Sequence, residues 1–289
     1  MDFSRRGDLV SKPREDELDA DALVQLGLTR DAAYSDLYTH ALQHHQIEVR
    51  IAAVRALGWL RQPSIAGLLL PMLSDTDETV RRWAASSLAL CGHTEIAPQI
   101  RDYMTDETVP TVKASLARTL GWLGDKGSIE HLKRCVVHDS CGQVRGACLQ
   151  ALIRLSDGLD VAFLLAACQD SDAAVRIQAL RGLAQGPSKT TEATLQDCAF
   201  DLDPEVRVFA IKALVSTGAS GAQKHCLLAL KDSNPGVRCA GLIGLRDGDF
   251  PLDESSFEHC LQDSHPEVRQ QAALTKSVLE ISRVEKNQR

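Results

Sequence analysis

A valine followed by a basic residue recurs along this chain at near-fixed spacing. The pairs are Val49-Arg50, Val80-Arg81, Val112-Lys113, Val144-Arg145, Val175-Arg176, Val206-Arg207, Val237-Arg238 and Val268-Arg269. Successive valines lie 31, 32, 32, 31, 31, 31 and 31 residues apart. A single globular core has no reason to return to one register so often. A period of this length therefore specifies stacked supersecondary units.

With the valine as position 0, position +4 holds Ala53, Ala84, Leu116, Cys148, Ala179, Ala210, Gly241 and Ala272. Position +8 holds Leu57, Leu88, Leu120, Leu152, Leu183, Leu214 and Leu245 before ending in Lys276. Positions 0, 4, 7, 8 and 11 form one stripe of a helix with 3.6 residues per turn. The small residues at +4 let a neighbouring helix come close. Gly92, Gly124, Gly158, Gly186 and Gly218 follow these helices and predict left-handed C-caps. A second helix precedes each valine, as in SIAGLLLPML, IEHLKRCVV, DVAFLLAACQ, AQKHCLLALK and SSFEHCLQ. Between them lie acidic turns, in which Asp or Asn three residues before the valine suits an N-cap and Pro just after it suits the first helical position. The predicted fold is all-α: an α-solenoid of about eight helical hairpins with a 31-residue period.

The turn-and-helix pattern, clearest in DLDPEVRVFAIKAL (201–214) and DSDAAVRIQALRGL (170–183), resembles the HEAT-like repeats of the phycocyanobilin-lyase type. The resemblance spans roughly residues 30–282. It implies an α-solenoid whose valine helices line a concave surface. It does not single out an activity, because such repeats occur in bilin lyases, deoxyhypusine hydroxylase, a class of DNA glycosylases and many scaffolds. The organisation expected is a charged, disordered segment at 1–16 and one solenoid over 17–283. Within the solenoid, 17–29 would form an N-terminal cap, about 30–265 the repeats and 266–283 a capping helix. Residues 284–289 would be a flexible tail.

The basic residue at +1 is expected to be structural. Aspartates of the preceding turns (Asp75, Asp139, Asp170, Asp201, Asp232 and Asp263, each five before its valine) are its candidate partners, forming a ladder that fixes stacking register. Positions +2, +3, +6 and +10 fall on a separate face. That face carries Trp59, Trp83 and Trp122 with Arg55, Arg82 and Arg118, and further on Arg154, Arg181, Phe209 and Lys212. Trp and Arg dominate binding hot spots. The surplus of cations here points to an acidic or anionic protein partner, although the whole chain carries a formal charge of -7. That net charge speaks against a nucleic-acid-coating protein. No stretch of about 18 apolar residues is present, so no membrane span is expected, nor is a signal peptide.

The function expected is a non-enzymatic interaction scaffold or adaptor without a cofactor. A bilin lyase or chromophore chaperone is the alternative: Arg55, Arg118 and Arg181 would then hold bilin propionates, and the tryptophans would stack on pyrrole rings. A glycosylase reading lacks an acid near the tryptophans, since Asp247 lies far along the chain. Resemblance to deoxyhypusine hydroxylase would require His-Glu dipeptides as ligands for two irons. None occurs; Glu130-His131 and Glu258-His259 are reversed. His138, Asp139 and Cys141 share a turn but lack a fourth zinc ligand. Nine cysteines without a CxxC pair suit free, mostly buried thiols in a reducing cytoplasm.

Overall fold

The computed structural model describes residues 19–156, 160–186 and 189–287, with side chains up to 279 apart from residue 189. The expected disorder of 1–16 and the predicted cap at Gly158 lie outside the described residues. Two compact units divide the chain, Met1–His131 and Leu132–Arg289. Among the described residues each is helical, without strands.

In the first unit the valine helices are α3 (Ile47–Leu60), α5 (Glu78–Cys91) and α7 (Pro110–Leu123). They pack side by side in chain order, and α1 (Ala20–Leu28) packs against α3 in the same layer. The intervening segments form the second layer: α2 (Ser35–Ala41) on α3, and α6 (Ala97–Asp106) on α7. Between α3 and α5 the predicted helix SIAGLLLPML is broken. A four-residue helix, α4 (Ala66–Leu69), gives way to a 3-10 segment over Leu70–Ser74. Pro71 has no N–H to donate, so the α-helical ladder cannot pass through it.

In the second unit α9 (Gly142–Leu155), α11 (Ala173–Leu183), α13 (Pro204–Ser216), α15 (Pro235–Asp247) and α17 (Pro266–Asn287) repeat the arrangement. Against them lie α10 (Val161–Ala167), α12 (Lys189–Cys198), α14 (Ala222–Ala229) and α16 (Glu254–Leu261), one intervening helix per hairpin. The remaining helix, α8, covers Ile129–His138. Residues 284–287, expected in a flexible tail, continue α17, while 288–289 lie outside the described residues.

All eight repeat valines are buried, as are the +4 residues and the +8 leucines. Position +7 adds polar stitching to this seam. The hydroxyl of Ser87 donates to the carbonyl of Val54 at 3.0 Å, and that of Thr119 to Ala85 at 2.8 Å. Thr275 repeats the pattern on Leu242 at 3.3 Å. Each bond joins neighbouring valine helices and satisfies a hydroxyl that burial would otherwise penalise.

The caps follow the sequence in part. Asp77, Asp172, Asp203 and Asn234 accept N-terminal N–H groups as expected. Gln46, Val109 and Cys141 stand at the same position without a side-chain cap. Gly92, Gly124 and Gly218 have positive φ, whereas Gly186 does not. There α11 ends on Ala184 in a right-handed conformation, so no left-handed residue is required. After α3 the left-handed position is taken by Arg61. Gly67 lies on the exposed side of α4, where an added Cβ would meet nothing within 4 Å. Gly67→Ala is expected to raise stability by about 0.5–1 kcal/mol, by restricting the unfolded chain and improving helix propensity. Urea denaturation measures this, and an unchanged or lower midpoint would count against it.

The +1 arginines form a directional ladder, in a register different from the one expected. Nε and Nη2 donate to both oxygens of one carboxylate at 2.6–3.2 Å. That carboxylate belongs to the turn of the following repeat, not the preceding one. The rungs are Arg50–Asp75, Arg81–Glu107, Arg145–Asp170, Arg176–Asp201, Arg207–Asp232 and Arg238–Asp263. The preceding turn supplies only carbonyls: Nη1 of Arg81, for example, donates to Asp75 and Thr76. One turn therefore serves two arginines, one through its carboxylate and the other through its backbone. The carboxylate also accepts the N–H two residues on, as Asp201 does from Asp203 at 2.8 Å. At the C-terminal end Arg269 donates to the carbonyls of Asp263 and Ser264, with no carboxylate on its fork among the described residues. At the N-terminal end the equivalent of Asp75 is His44, whose Nδ1 accepts the Gln46 N–H.

Candidate binding face

The helical phase that carries the tryptophans remains at the surface because the core stripe occupies a separate arc. In the first unit, Arg55 on α3 projects between two aromatic rings. Its guanidinium carbon lies 5.1 Å from the centroid of Trp59 and 4.7 Å from that of Trp83 on α5. Trp59 is one turn further along α3, and Trp83 reaches it because α3 and α5 are adjacent. The Nε of Arg55 is buried without a hydrogen-bond partner. Arg82 is exposed on α5. Arg118 on α7 is half-buried, and its Nη2 donates to the Ser115 hydroxyl at 3.2 Å. Burial pushes the Arg118 pKa below its ordinary value. Trp122, on α7, is 61% exposed.

These arginines differ from the ladder arginines in electrostatics. Each rung arginine has a bidentate carboxylate, whose hydrogen bonds raise its pKa. Among the described residues Arg55, Arg82 and Arg118 form no ion pair. Cation–π contact with two indoles partly replaces a counter-ion for Arg55. The face therefore presents positive charge next to broad aromatic surface.

The second unit has a related cluster. Phe209 on α13 lies beneath Arg181 of α11 at 4.7 Å and Lys212 at 5.6 Å. Arg154 is exposed near the end of α9. Asp247 pairs with its neighbour Arg246, with Nε donating at 2.9 Å.

No disulfide forms among the described residues: six cysteines are buried, and Cys135, Cys141 and Cys239 are half-buried. Burial pushes Cys91 and Cys226 up to about 11. Asp139 uses its carboxylate to accept the Cys141 N–H at 3.0 Å. Among the described residues no three His, Cys, Asp or Glu side chains converge as metal ligands.

The sequence pattern of HEAT repeats matches residues 8–89, 65–153 and 161–246. The chain belongs to the HEAT-repeat family. Its fold is shared with other HEAT-like proteins of known structure. Escherichia coli YibA aligns over 93% of this chain and 99% of its own, with a TM-score of 0.61 and 16% identity. The complex of CpcE and CpcF of phycocyanin lyase from Nostoc sp. PCC7120 aligns over 85% of this chain and 93% of that one, with a TM-score of 0.50 and 19% identity. In sequence, deoxyhypusine hydroxylase of Candida glabrata is 34% identical over 83 residues. That stretch is 28% of this chain and 26% of the enzyme, so the chain spans about a quarter of the relative it matches. The donor set for a two-iron centre does not fit this HEAT-repeat chain, which has no His-Glu dipeptide and no converging ligands among its described residues. Among the described residues, no helix is long and apolar enough to cross a membrane.

Proposed function

We propose that this HEAT-repeat chain is a non-enzymatic scaffold that holds an acidic protein partner against the Trp/Arg face of its first unit. The observation that carries this reading is the Arg55 guanidinium, stacked between Trp59 and Trp83 without a carboxylate. Arg82 and Arg118 add unpaired charge, and Trp122 adds exposed aromatic area. A partner carboxylate reaching Arg55 would be recognised by a fork already oriented by two rings, which lowers the ordering cost of binding. On the second unit, Phe209 with Arg181 and Lys212, and Arg154 apart from them, would offer a contact surface of its own. Nine cysteines without a disulfide among the described residues suit a cytoplasmic setting for this role.

The same stack supports a second reading, in which a bilin lies on the indoles with its propionates on Arg55 and Arg118. The test compares wild type, Arg55→Ala and the Trp59→Ala/Trp83→Ala/Trp122→Ala triple variant, each first shown to be folded by circular dichroism. Affinity purification from the native host should recover an acidic partner with wild type, and about thirtyfold weaker binding with Arg55→Ala, the size of a hot spot. Equal recovery by folded variants would remove the proposal. A tetrapyrrole absorbance shift that depends on Arg55, with no protein partner, would replace it with the second reading.

A further inference from the structure

The turn between α12 and α13 breaks a pattern that every other turn keeps. Six residues before the repeat valine stand Gln43, Ser74, Asp106, His138, Gln169, Lys231 and Gln262, but in this turn Phe200. Four residues before it stand His45, Thr76, Thr108, Ser140, Ser171, Ser233 and Ser264, but here Leu202. The ladder does not require the change, because Arg207 still reaches the carbonyls of Asp201 and Leu202. Both side chains are left in solvent: Phe200 is 65% exposed and Leu202 97%. Two large apolar groups at positions otherwise polar throughout are unfavourable for solubility unless something covers them.

A groove leads away from this turn within the second unit. Phe200 stands edge-on to His225 of α14, with ring centroids 5.6 Å apart, at a hollow of about 300 Å³. Leu228, also on α14, is 44% exposed and lines both that hollow and an adjoining groove of about 800 Å³ between α14 and α16. The floor of the groove includes Leu227, Leu230 and Cys260. Lys224 and Lys231 border it, both exposed and without an ion pair among the described residues. Asp253, Ser255, Ser256 and His259 line its other side, where the Asp253 carboxylate accepts from the Ser255 and Ser256 hydroxyls. Exposed apolar side chains thus recur from the Phe200–Leu202 turn through Leu228 to the α14–α16 groove, interrupted in the hollow by Asp201, the Arg207–Asp232 rung and Ser233.

We infer that the Phe200–Leu202 turn and the α14–α16 groove form a second docking surface, which takes an amphipathic helix of a partner protein with acidic residues flanking its apolar stripe. A trough between neighbouring helices suits the helix-in-groove mode, in which apolar side chains spaced by one turn enter the floor. The unpaired Lys224 and Lys231 select carboxylates over ammonium groups at the rim. This surface is independent of the Trp/Arg face.

The probe is a labelled helical peptide of about 16 residues, long enough for several turns. It carries leucines at i, i+3, i+4 and i+7 flanked by glutamates, and a matched peptide carries lysines instead. Fluorescence anisotropy with the full chain is expected to give micromolar binding of the acidic peptide and at least tenfold weaker binding of the basic one. Phe200→Gln/Leu202→Ser restores residue types found in the other turns, so it should fold, and it should weaken the acidic peptide at least tenfold. Lys224→Glu/Lys231→Glu should reverse the preference between the two peptides. Failure of both peptides to bind, equal binding of both, or indifference to either pair of substitutions overturns the inference. Wild-type self-association in sedimentation velocity that Phe200→Gln/Leu202→Ser abolishes also overturns it, because the occupant would then be a second copy.

Discussion

Replacing Asp201 by alanine is expected to lower stability by about 2–4 kcal/mol, more than the loss of an ordinary surface ion pair. The Arg176–Asp201 rung is largely shielded from water, with side chains 14% and 13% exposed. Asp201→Ala leaves a half-buried guanidinium without its counter-charge and leaves the Asp203 N–H without its acceptor. Removing both partners of the rung should cost less than the sum of the single losses, since no orphaned charge then remains. Urea denaturation of the four members of the cycle measures this, and strictly additive losses would show that the rung does not couple.

The same chemistry sets the acid limit. Burial alone would raise the pKa of Asp75, Glu107, Asp170, Asp201 and Asp232, but arginine and backbone hydrogen bonds outweigh it and hold each below its ordinary value. For Asp263 the bond to Arg238 is the leading cause. A depressed folded pKa gives stability that is complete above the unfolded value, about 3.9 for Asp and 4.3 for Glu, and is lost as pH falls further. The urea midpoint should therefore hardly respond to these groups between pH 7 and 5, then fall steeply below about pH 4.

Gly58→Val is expected to destabilise the first unit by about 3 kcal/mol or more, the upper range for overpacking. A Cβ at Gly58 would lie 2.5 Å from the Ser87 Oγ, 2.6 Å from its Cβ and 3.0 Å from its Cα. Ser87 cannot yield without breaking its bond to the Val54 carbonyl, and its Cα belongs to α5 itself. Either α3 and α5 separate or the seam loses its hydroxyl. Adding Ser87→Gly should recover part of the loss by clearing the Oγ and Cβ. If thermal melts show no recovery, close approach is not the cause.

The hairpins and the buried 0, +4 and +8 stripe were legible in the sequence, because each depends on local period alone. The direction of the ladder was not. Asp75 lies six residues from Arg81 in the chain, and only the stacked structure reveals that it binds Arg50 instead. Glu107 escaped notice for a related reason: one carboxylate replaces another where aspartate is the rule. The meeting of Arg55 with Trp83 needed the lateral packing of α3 on α5, whereas its distance from Trp59 was set by the helix itself. Phe200 and Leu202 carried a readable signal in the comparison of turns, a part of the repeat where the helical periods say nothing. Arg61 in a left-handed conformation had no signal of that kind, since glycine is the usual marker of such a site.

The unequal ends of the ladder bear on growth of the array. Head-to-tail contacts that never close produce filaments, and a repeat protein with compatible ends is exposed to that outcome. Here α1 already packs against α3 in the same layer, so the first valine helix finds its lateral neighbour within its own chain. A second molecule approaching the carboxylate-free fork of Arg269 would meet α1 rather than an unfilled place beside α3.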